Sequence, residues 1–346
     1  MIDNESITDR LSEKVLVTGG GGFLGSAIVK RLVKRGDRVV SFSRRFYPEL
    51  AAMGVQQIQG DISDKTAVEQ AFKEVNLVFH VAAKPPPWGG FSAYYRTNVI
   101  GTLNVITACK QFNVSRLVYT SSPSVIFDGT DMEGVDESVP YPEKYHAHYP
   151  KTKAMAEQSV IAAGDEGLRT IILRPHLIWG PRDNHLVPRI IERANRLVKV
   201  GDGRNLVDTI YIDNAAEAHL LADQALEANP GLTGNIYFLS QDEPIPLWDM
   251  VNQILAAGGK PPVSKSISPA AAYAIGRVCE WIFTLLGLDS DPPMTRFMAR
   301  ELATSHWFDI SAAKKDLGYQ PEVSTEEGLW RLAQWLRKPK AEGAGR

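Results

Sequence analysis

The chain has 346 residues, of which 44% are hydrophobic and 23% are charged, and its formal net charge is -2. This length allows about two domains with a sizeable core, and the near-neutral charge argues against nucleic acid or an anionic membrane as the main partner. Cys109 and Cys279 lie at no metal-ligand or redox spacing. Residues 1–13 form a polar tail without the pattern of a signal peptide, so we expect a cytoplasmic protein.

A glycine-rich turn separates a predicted strand, Val15–Val17, from a predicted helix that begins at Phe23. Such a turn presents free backbone N–H groups and the positive end of a helix dipole, which together suit a phosphate. The alternative is a glycine turn without a ligand. The spacing T-G-x-x-G-F-x-G resembles that of the extended short-chain dehydrogenase/reductase superfamily. This resemblance implies a dinucleotide site at Gly19, Gly22, Phe23, Leu24 and Gly25.

Strand and helix patterns alternate through the first half of the chain. Helical patterns include Thr66–Lys73 and Asn98–Phe112. The alternation predicts an α/β fold with a Rossmann-type, doubly wound parallel sheet that has helices on both faces. The further predicted strands are Arg38–Phe42, Val55–Gln59, Leu77–Val81, Arg116–Thr120 and Thr170–Leu173.

The end of the second predicted strand bears on the choice of dinucleotide. An NAD enzyme usually has Asp or Glu there to hold the ribose 2′-hydroxyl, whereas this strand ends in Ser43, Arg44 and Arg45. A hydroxyl and two guanidinium groups suit a 2′-phosphate, so we predict NADP(H) rather than NAD(H). The alternative is that both arginines belong to a solvated loop.

Two further polar residues are assigned by resemblance. In the superfamily, an aspartate at the position of Asp61, followed here by Ile62, meets the adenine, although a helix cap at Asp61 or Ser63 fits the spacing equally well. The superfamily also uses an asparagine at the position of Asn98 to hold the active site. A simple helix cap at Thr97 or Asn98 is the alternative.

The fourth predicted strand ends in small residues and leads into a stiff loop. Ala82 and Ala83 permit close approach of a cofactor, and His80 is predicted to be a packed strand residue. The loop that begins at Lys84 carries three prolines and Trp88. It forms either a wall for an apolar substrate, with Lys84 and Trp88 facing that substrate, or a folded-back loop with Trp88 in the core.

A serine, a tyrosine and a lysine form the candidate catalytic set. Ser122 ends a predicted strand, and Tyr149 opens a predicted helix that also carries Lys153 four residues later, on the same face. A free tyrosine has a pKa of about 10, and a neighbouring lysine cation lowers it. We predict that Tyr149 gives a proton to the developing alkoxide, that Ser122 orients it, and that Lys153 tunes Tyr149 and holds the ribose. Asn98 completes the set, and Ser124 is placed beside the substrate.

The segment after the next strand resembles the R-P-x-x-x-x-G-P segment of the superfamily, whose backbone meets the nicotinamide. The resemblance implies contacts at Pro175, Leu177 and Ile178. His176 and Trp179 reach either the substrate or the core. The pair His146 and His148 lacks further ligands nearby in sequence, so we predict a loop role and no metal site.

The segment Asn205–His219 resembles the 3β-hydroxysteroid dehydrogenase branch of the superfamily. Sugar-nucleotide epimerases and dehydratases commonly place an arginine four residues before the position of Tyr211, where this chain has Val207. Dehydratases also add an Asp-Glu pair where this chain has Pro123-Ser124. Both departures count against a nucleotide-sugar substrate.

Within that branch, five stretches resemble bacterial reductases of long-chain olefin biosynthesis. The resemblance implies NADPH-dependent reduction of a 2-alkyl-3-oxoalkanoic acid, a large apolar substrate, and partner enzymes of the same pathway. A 3β-hydroxysteroid dehydrogenase, with or without isomerase activity, is the main alternative, and a non-catalytic dinucleotide sensor is disfavoured by the Tyr/Lys pair. The stretches are Ala82–Lys84 with Trp88–Gly89, Tyr119–Val125, His176–Arg189, Gly201–His219 and Thr295–Trp307.

We therefore expect a dinucleotide domain at 14–180, to which 205–227 returns. A smaller, mainly helical substrate domain is expected at 181–204 and 228–338, and a tail at 339–346. The apolar stretch Ala271–Leu288 is interrupted by Arg277 and Glu280, which argues against a membrane span. It forms a lid over the substrate, a membrane-surface helix, or a packed or homodimer helix.

Overall fold

A seven-stranded parallel sheet forms the centre of the protein. The structure, a computed structural model, describes residues 13–86, 88–288 and 290–338. The predicted tails therefore lie outside the described residues, apart from Glu13. All strand pairs of this sheet are parallel, which confirms the predicted Rossmann-type fold. The spatial order is Ile236–Leu239, Arg169–Pro175, Arg116–Thr120, Leu77–His80, Lys14–Thr18, Arg38–Ser43 and Gln56–Gln59.

Alternate residues of the central strand feed two separate apolar cores. Val15 and Val17 belong to one core and Leu16 to the other, and all three are fully buried. Such a strand needs apolar residues on both faces, because helices cover both sides of a parallel sheet. The helices of this layer are Phe23–Arg35, Lys65–Ala71, Gly101–Gln111, His148–Asp165 and Ile212–Ala228, with the short helices Pro48–Ala52 and Phe91–Tyr94 and the π-helical turn Tyr95–Ile100 between them.

The helix Ile212–Ala228, which overlaps the segment 205–227, packs against Phe23–Arg35. Arg31 forms an ion pair with Glu217 and donates to the Asp213 backbone oxygen at 2.9 Å. These contacts fix the outer layer beside the glycine-rich turn.

The remaining elements are short strands and helices. A second sheet contains Ile245–Pro246, Leu206–Val207, His306–Phe308 and Met132–Val135, and two pairs of short strands join Ile178–Trp179 to Ile210–Tyr211 and Lys199–Val200 to Ser266–Ile267. The helices are Leu186–Glu192, Leu247–Ala257, Pro269–Leu285, Arg296–Glu301, Ser311–Leu317 and Thr325–Arg337, with 3₁₀ turns at Pro123–Ile126, Ala194–Arg196 and Pro230–Leu232.

One strand crosses the expected domain boundary. Ile236–Leu239 pairs with Arg169–Pro175 at the edge of the large sheet, although residues 228–338 were expected in the substrate domain. A four-residue apolar run identifies a strand but not its partner, because the pairing is a long-range contact. The large domain therefore gains a seventh strand from the C-terminal half.

Candidate active site

The carboxyl ends of the central strands bring the predicted residues to one edge of the sheet. Lys14–Thr18 lies between Arg38–Ser43 and Leu77–His80, and the chain crosses to the other side of the sheet after Gln56–Gln59. In open parallel sheets, ligands bind in the crevice at such a crossover.

The glycine-rich turn fits a dinucleotide closely. Gly19 has a φ of +70°, and the Gly22 N–H donates to the Gly19 oxygen at 2.8 Å. A Cβ on Gly25 would lie 2.1 Å from that same oxygen, so only glycine lets the helix approach the turn this closely. The backbone at Phe23 and Leu24 begins the helix, where N–H groups can receive a pyrophosphate.

Tyr47, which the sequence analysis missed, covers this turn. Its ring occupies the space that a Cβ on Gly21 would need, and the Ser43 hydroxyl accepts from the Gly21 N–H at 3.3 Å. Arg44 and Arg45 are exposed beside them. This placement agrees with both a phosphate clamp and a solvated loop, so the preference for NADP(H) stays a prediction.

The sequence suggested Asp61 or Ser63 as a possible cap of the helix that follows, but neither residue caps it. Asp64 caps Lys65–Ala71 through the Ala67 N–H, whereas Asp61 accepts from the backbone and hydroxyl of Ser63. These bonds lower the pKa of Asp61, and the nearby arginine charges lower it further. The Ile62 side chain is buried, so only its backbone can meet a cofactor.

His80 is packed in the strand, as predicted. Its two ring nitrogens contact the hydroxyls of Thr18 at 2.7 Å and Thr102 at 2.9 Å, and burial lowers its pKa to about 3. The Thr18 hydroxyl also accepts from the Ala82 N–H at 3.2 Å. This network holds Ala82 against the turn, where a Cβ on Gly19 would lie 3.0 Å from the Ala82 Cα, and Ala83 follows it at the surface.

Asn98 positions the site rather than reaching the reacting atoms. Its side-chain oxygen accepts from the Lys84 N–H at 2.7 Å, and its amide nitrogen donates to the Thr152 hydroxyl at 3.1 Å. It thereby ties the loop after the fourth strand to the helix that carries Tyr149. The structure excludes the simple cap alternative, since Asn98 lies inside the π-helical turn.

Ser122, Ser124 and Tyr149 lie together. The Ser122 and Ser124 hydroxyls are 3.0 Å apart, and Ser122 lies close enough to the Tyr149 phenol to influence its pKa. Burial raises the pKa of Tyr149 to about 12, although the Ser122 hydroxyl opposes the shift. The expected lowering of this pKa by Lys153 is therefore wrong in this arrangement.

The reason is where the Lys153 ammonium points. It donates to the Tyr119 hydroxyl at 2.7 Å and to the Thr120 backbone oxygen at 2.6 Å. Burial lowers its pKa to about 7, and Glu157 one turn later opposes the shift. Tyr119 is thus a second residue that the sequence analysis missed.

Glu301 is a third missed residue. It ends the helix Arg296–Glu301, and burial raises its pKa to about 8. Its charge contributes to the raised pKa of Tyr149, so it lies near the phenol. No local pattern identified it, because it reaches the site from the distant C-terminal half.

Trp179 does not face the substrate. It is fully buried, donates to the Thr209 hydroxyl at 3.1 Å and packs edge-on against Tyr211. Pro175 is buried at the strand end, and Leu177, with a φ of +42°, turns the chain into the short strand of Ile178. These three residues lie at or just after the carboxyl end of Arg169–Pro175, and their contact with a nicotinamide stays a prediction.

His176 stacks on His306 from the C-terminal half, with Nε2 and Nδ1 3.0 Å apart. Burial and the second ring lower the pKa of His176 well below its usual value. The Trp88 indole, in contrast, is half-buried and donates to the Leu288 oxygen at 3.1 Å. It therefore lies between the two expected positions, against the apolar helix.

The remaining histidine pair diverges. His146 contacts the Asp128 backbone oxygen and Arg300, whereas His148 packs edge-on against Phe91. Within the described ranges, no group of three or more His, Cys, Asp or Glu side chains could hold a metal ion.

Relatives of known activity match nearly the whole chain. It is 53% identical over 323 residues to a 2-alkyl-3-oxoalkanoate reductase of Stenotrophomonas maltophilia, which covers 92% of this chain and 98% of that protein. A protein of the same name from Shewanella oneidensis is 47% identical and covers 95% and 88%. A human sterol-4-alpha-carboxylate 3-dehydrogenase, decarboxylating, is 34% identical and covers 97% and 91%.

Solved structures and a protein family agree with these relatives. The crystal structure of gox2253 matches with a TM-score of 0.76 at 28% identity, and MoeE5 in complex with UDP-glucose and NAD with 0.71 at 26%. Each match covers 94% of this chain and 98% of the other. Residues 16–267 match the 3-beta hydroxysteroid dehydrogenase/isomerase family. The predicted branch and its resemblance to these reductases are confirmed: the chain belongs to this family and is an NAD(P)-dependent oxidoreductase.

Proposed function

We propose that this protein reduces a 2-alkyl-3-oxoalkanoic acid to the 2-alkyl-3-hydroxy acid with NADPH. The observation that carries the proposal is the pairing of Ser122 with Tyr149 at the sheet edge, in a chain 53% identical to a reductase of that name. Reduction adds a hydride to the carbonyl carbon and a proton to its oxygen. The chain must therefore hold a hydride donor and supply one proton.

The residues at the carboxyl edge suit the dinucleotide. The backbone from Gly19 to Gly25 would receive the pyrophosphate, and Ser43 with Arg44 would receive a 2′-phosphate. When bound, the reduced dinucleotide supplies the hydride. Lys153 uses two of its three N–H groups on Tyr119 and Thr120, so the third has no partner among the residues that the structure describes and is available to the ribose.

Tyr149 would supply the proton. With a pKa raised to about 12, its phenol stays protonated at neutral pH and is ready to donate in the reductive direction. Ser122 contacts this phenol and stands where a substrate carbonyl would be oriented between two hydroxyls. In the reverse reaction the phenolate accepts the proton, and with this pKa the phenolate is scarce until the pH is high.

Lys84 is our candidate partner for the substrate carboxylate. Its ammonium lies 5.1 Å from the centre of the Tyr94 ring, and that ring lies 6.3 Å from the ring of Tyr149. A 3-oxo acid carries its carboxylate two carbons from the carbonyl. The name of the human relative likewise describes a sterol with a carboxylate at position 4, beside the position 3 that is oxidised. A cation beside the proton donor suits both acids.

The test compares two substrates. The first substrate is a long-chain 2-alkyl-3-hydroxy acid, and its oxidation is measured as formation of the reduced dinucleotide. We expect this reaction to be faster with NADP than with NAD. Lys84→Met should raise KM for the acid about tenfold with little change in kcat, because a charge-assisted hydrogen bond is lost. Lys84→Arg should restore much of the affinity.

A neutral 3β-hydroxysteroid is the comparison substrate. The family match makes hydroxysteroid oxidation the second candidate function. Faster turnover of this steroid than of the acid, with a KM that Lys84→Met leaves unchanged, would transfer the assignment to hydroxysteroids. No turnover of either substrate would reject both.

A further inference from the structure

The helix Pro269–Leu285 contacts the rest of the protein through its small residues. Among its members only Ala272 and Gly276 are buried. A Cβ on Gly276 would lie 2.6 Å from the Thr295 carbonyl carbon, so the helix backbone rests directly on that segment. This arrangement reverses the usual one, in which large apolar side chains face the core.

The large apolar residues face outward instead. Trp281 is 65% exposed and Leu285 is 67% exposed. At 100° per residue, the apolar members of the exposed face span an arc of roughly 140°. We define this outer face by the exposed residues Ile275, Val278, Trp281, Ile282, Leu285 and Leu286.

The charge at the outer face is positive only. Arg277 is exposed at the border of the arc. Glu280, the helix's single acidic residue, is turned away and pairs with Arg296. A two-fold pairing of this face with a second copy would bring the two Arg277 side chains into one interface, with no acid from either outer face to compensate. A basic border beside a wide apolar arc instead fits phospholipid headgroups above acyl chains.

A loop beside the candidate site contacts the helix of the outer face. Trp88 donates to the Leu288 oxygen at 3.1 Å and packs edge-on against Phe283, which lies on the helix beside the outer face. The same loop begins at Lys84, whose N–H is held by Asn98. A surface bound to the outer face would therefore adjoin the loop that Asn98 ties to the helix of Tyr149.

We propose that the outer face docks the protein on a phospholipid surface. In the described part of the chain, no helix is long and apolar enough to cross a membrane. The helix therefore lies in the plane of the interface, with Trp281 and Leu285 inserted and Arg277 at the headgroups. Docking is independent of the reaction, but it gains a purpose from the proposed function, because a substrate with two long alkyl chains partitions into the bilayer.

The test uses the full chain without substrate or dinucleotide. Wild-type protein is sedimented with vesicles of phosphatidylcholine and phosphatidylglycerol. We expect binding, and we expect the double substitution Trp281→Gln with Leu285→Gln to weaken it by about tenfold or more. The matched control is Trp330→Gln, since Trp330 is 58% exposed on a different helix. It should bind as the wild type does.

Charge is tested separately. Arg277→Gln should weaken binding to the mixed vesicles and leave binding to pure phosphatidylcholine unchanged. Thermal melts check that each variant is folded. If the double variant is not folded, brominated phospholipid should quench wild-type fluorescence more than that of Trp281→Phe.

Three outcomes overturn the proposal. The first is wild-type protein that stays in the supernatant and does not bind the vesicles. The second is a loss of binding in the Trp330 control equal to that in the double variant. The third is a wild-type dimer that the double substitution converts to a monomer without any vesicle binding, which would assign the outer face to a second copy. Because no turnover is measured, none of these results depends on the proposed activity.

Discussion

Two apolar helices of this protein have opposite relations to the core. Phe23–Arg35 buries Leu24, Ile28 and Leu32 against the sheet, whereas Pro269–Leu285 buries only Ala272 and Gly276. The first closes the half that receives the dinucleotide. The second leaves large side chains such as Trp281 and Leu285 at the surface, near the Trp88 loop. The comparison indicates that the chemistry lies in a closed, sheet-based half and that the other half is adapted to an apolar environment.

The sharpest test of this division is Tyr149→Phe. We expect kcat to fall about a thousandfold, because general acid catalysis contributes on this scale. Dinucleotide affinity, measured by titration calorimetry, should be unchanged, since the substitution leaves the glycine-rich turn intact.

Tyr95→Phe is the matched control. The Tyr95 ring packs against Phe91, one element away from Tyr149. It should keep nearly full kcat. A Tyr149→Phe enzyme that retains more than a few per cent of wild-type kcat would contradict the assignment of the proton donor.

A smaller effect is expected at the dinucleotide end. Arg44→Ala should raise KM for NADPH about tenfold and leave KM for NADH nearly unchanged, because one charge-assisted contact to the 2′-phosphate is lost. Arg204→Ala, at a highly exposed arginine of the other half, serves as the control. Equal losses with both dinucleotides would favour the solvated-loop interpretation.

The sequence predicted best those features whose signals are local. The turn from Gly19 to Gly25, the helix of Tyr149 and Lys153, and the strand that ends at Thr120 each lie within one short segment, where spacing alone identifies them. The Asp64 cap was a local signal too, but two other residues nearby competed for the role.

The missed features depend on contacts between distant segments. Tyr47 reaches Gly21 from beyond the next strand, Tyr119 takes the Lys153 ammonium, and Glu301 approaches Tyr149 from the far end of the chain. Periodicity could identify the apolar helix as a helix, but it could not show which of its faces would be covered. Burial raises the pKa of Tyr149, and the Lys153 ammonium contacts Tyr119 rather than Tyr149.

The buried lysine gives the smallest predicted effect, on stability rather than turnover. Folding lowers the pKa of Lys153 from 10.5 to about 7. Between these values the unfolded chain binds more protons than the folded one, so this group makes unfolding less favourable as the pH rises. The free energy of unfolding from urea titrations should therefore rise more steeply for the wild type than for Lys153→Met, by about 1 kcal/mol per pH unit within that window. Lys151→Met, at an exposed position of the same helix, should keep the wild-type slope. Parallel curves for wild type and Lys153→Met would show that the ammonium is not desolvated in the folded protein. The candidate site would then be open to water, which contradicts the description of the sheet-based half as closed.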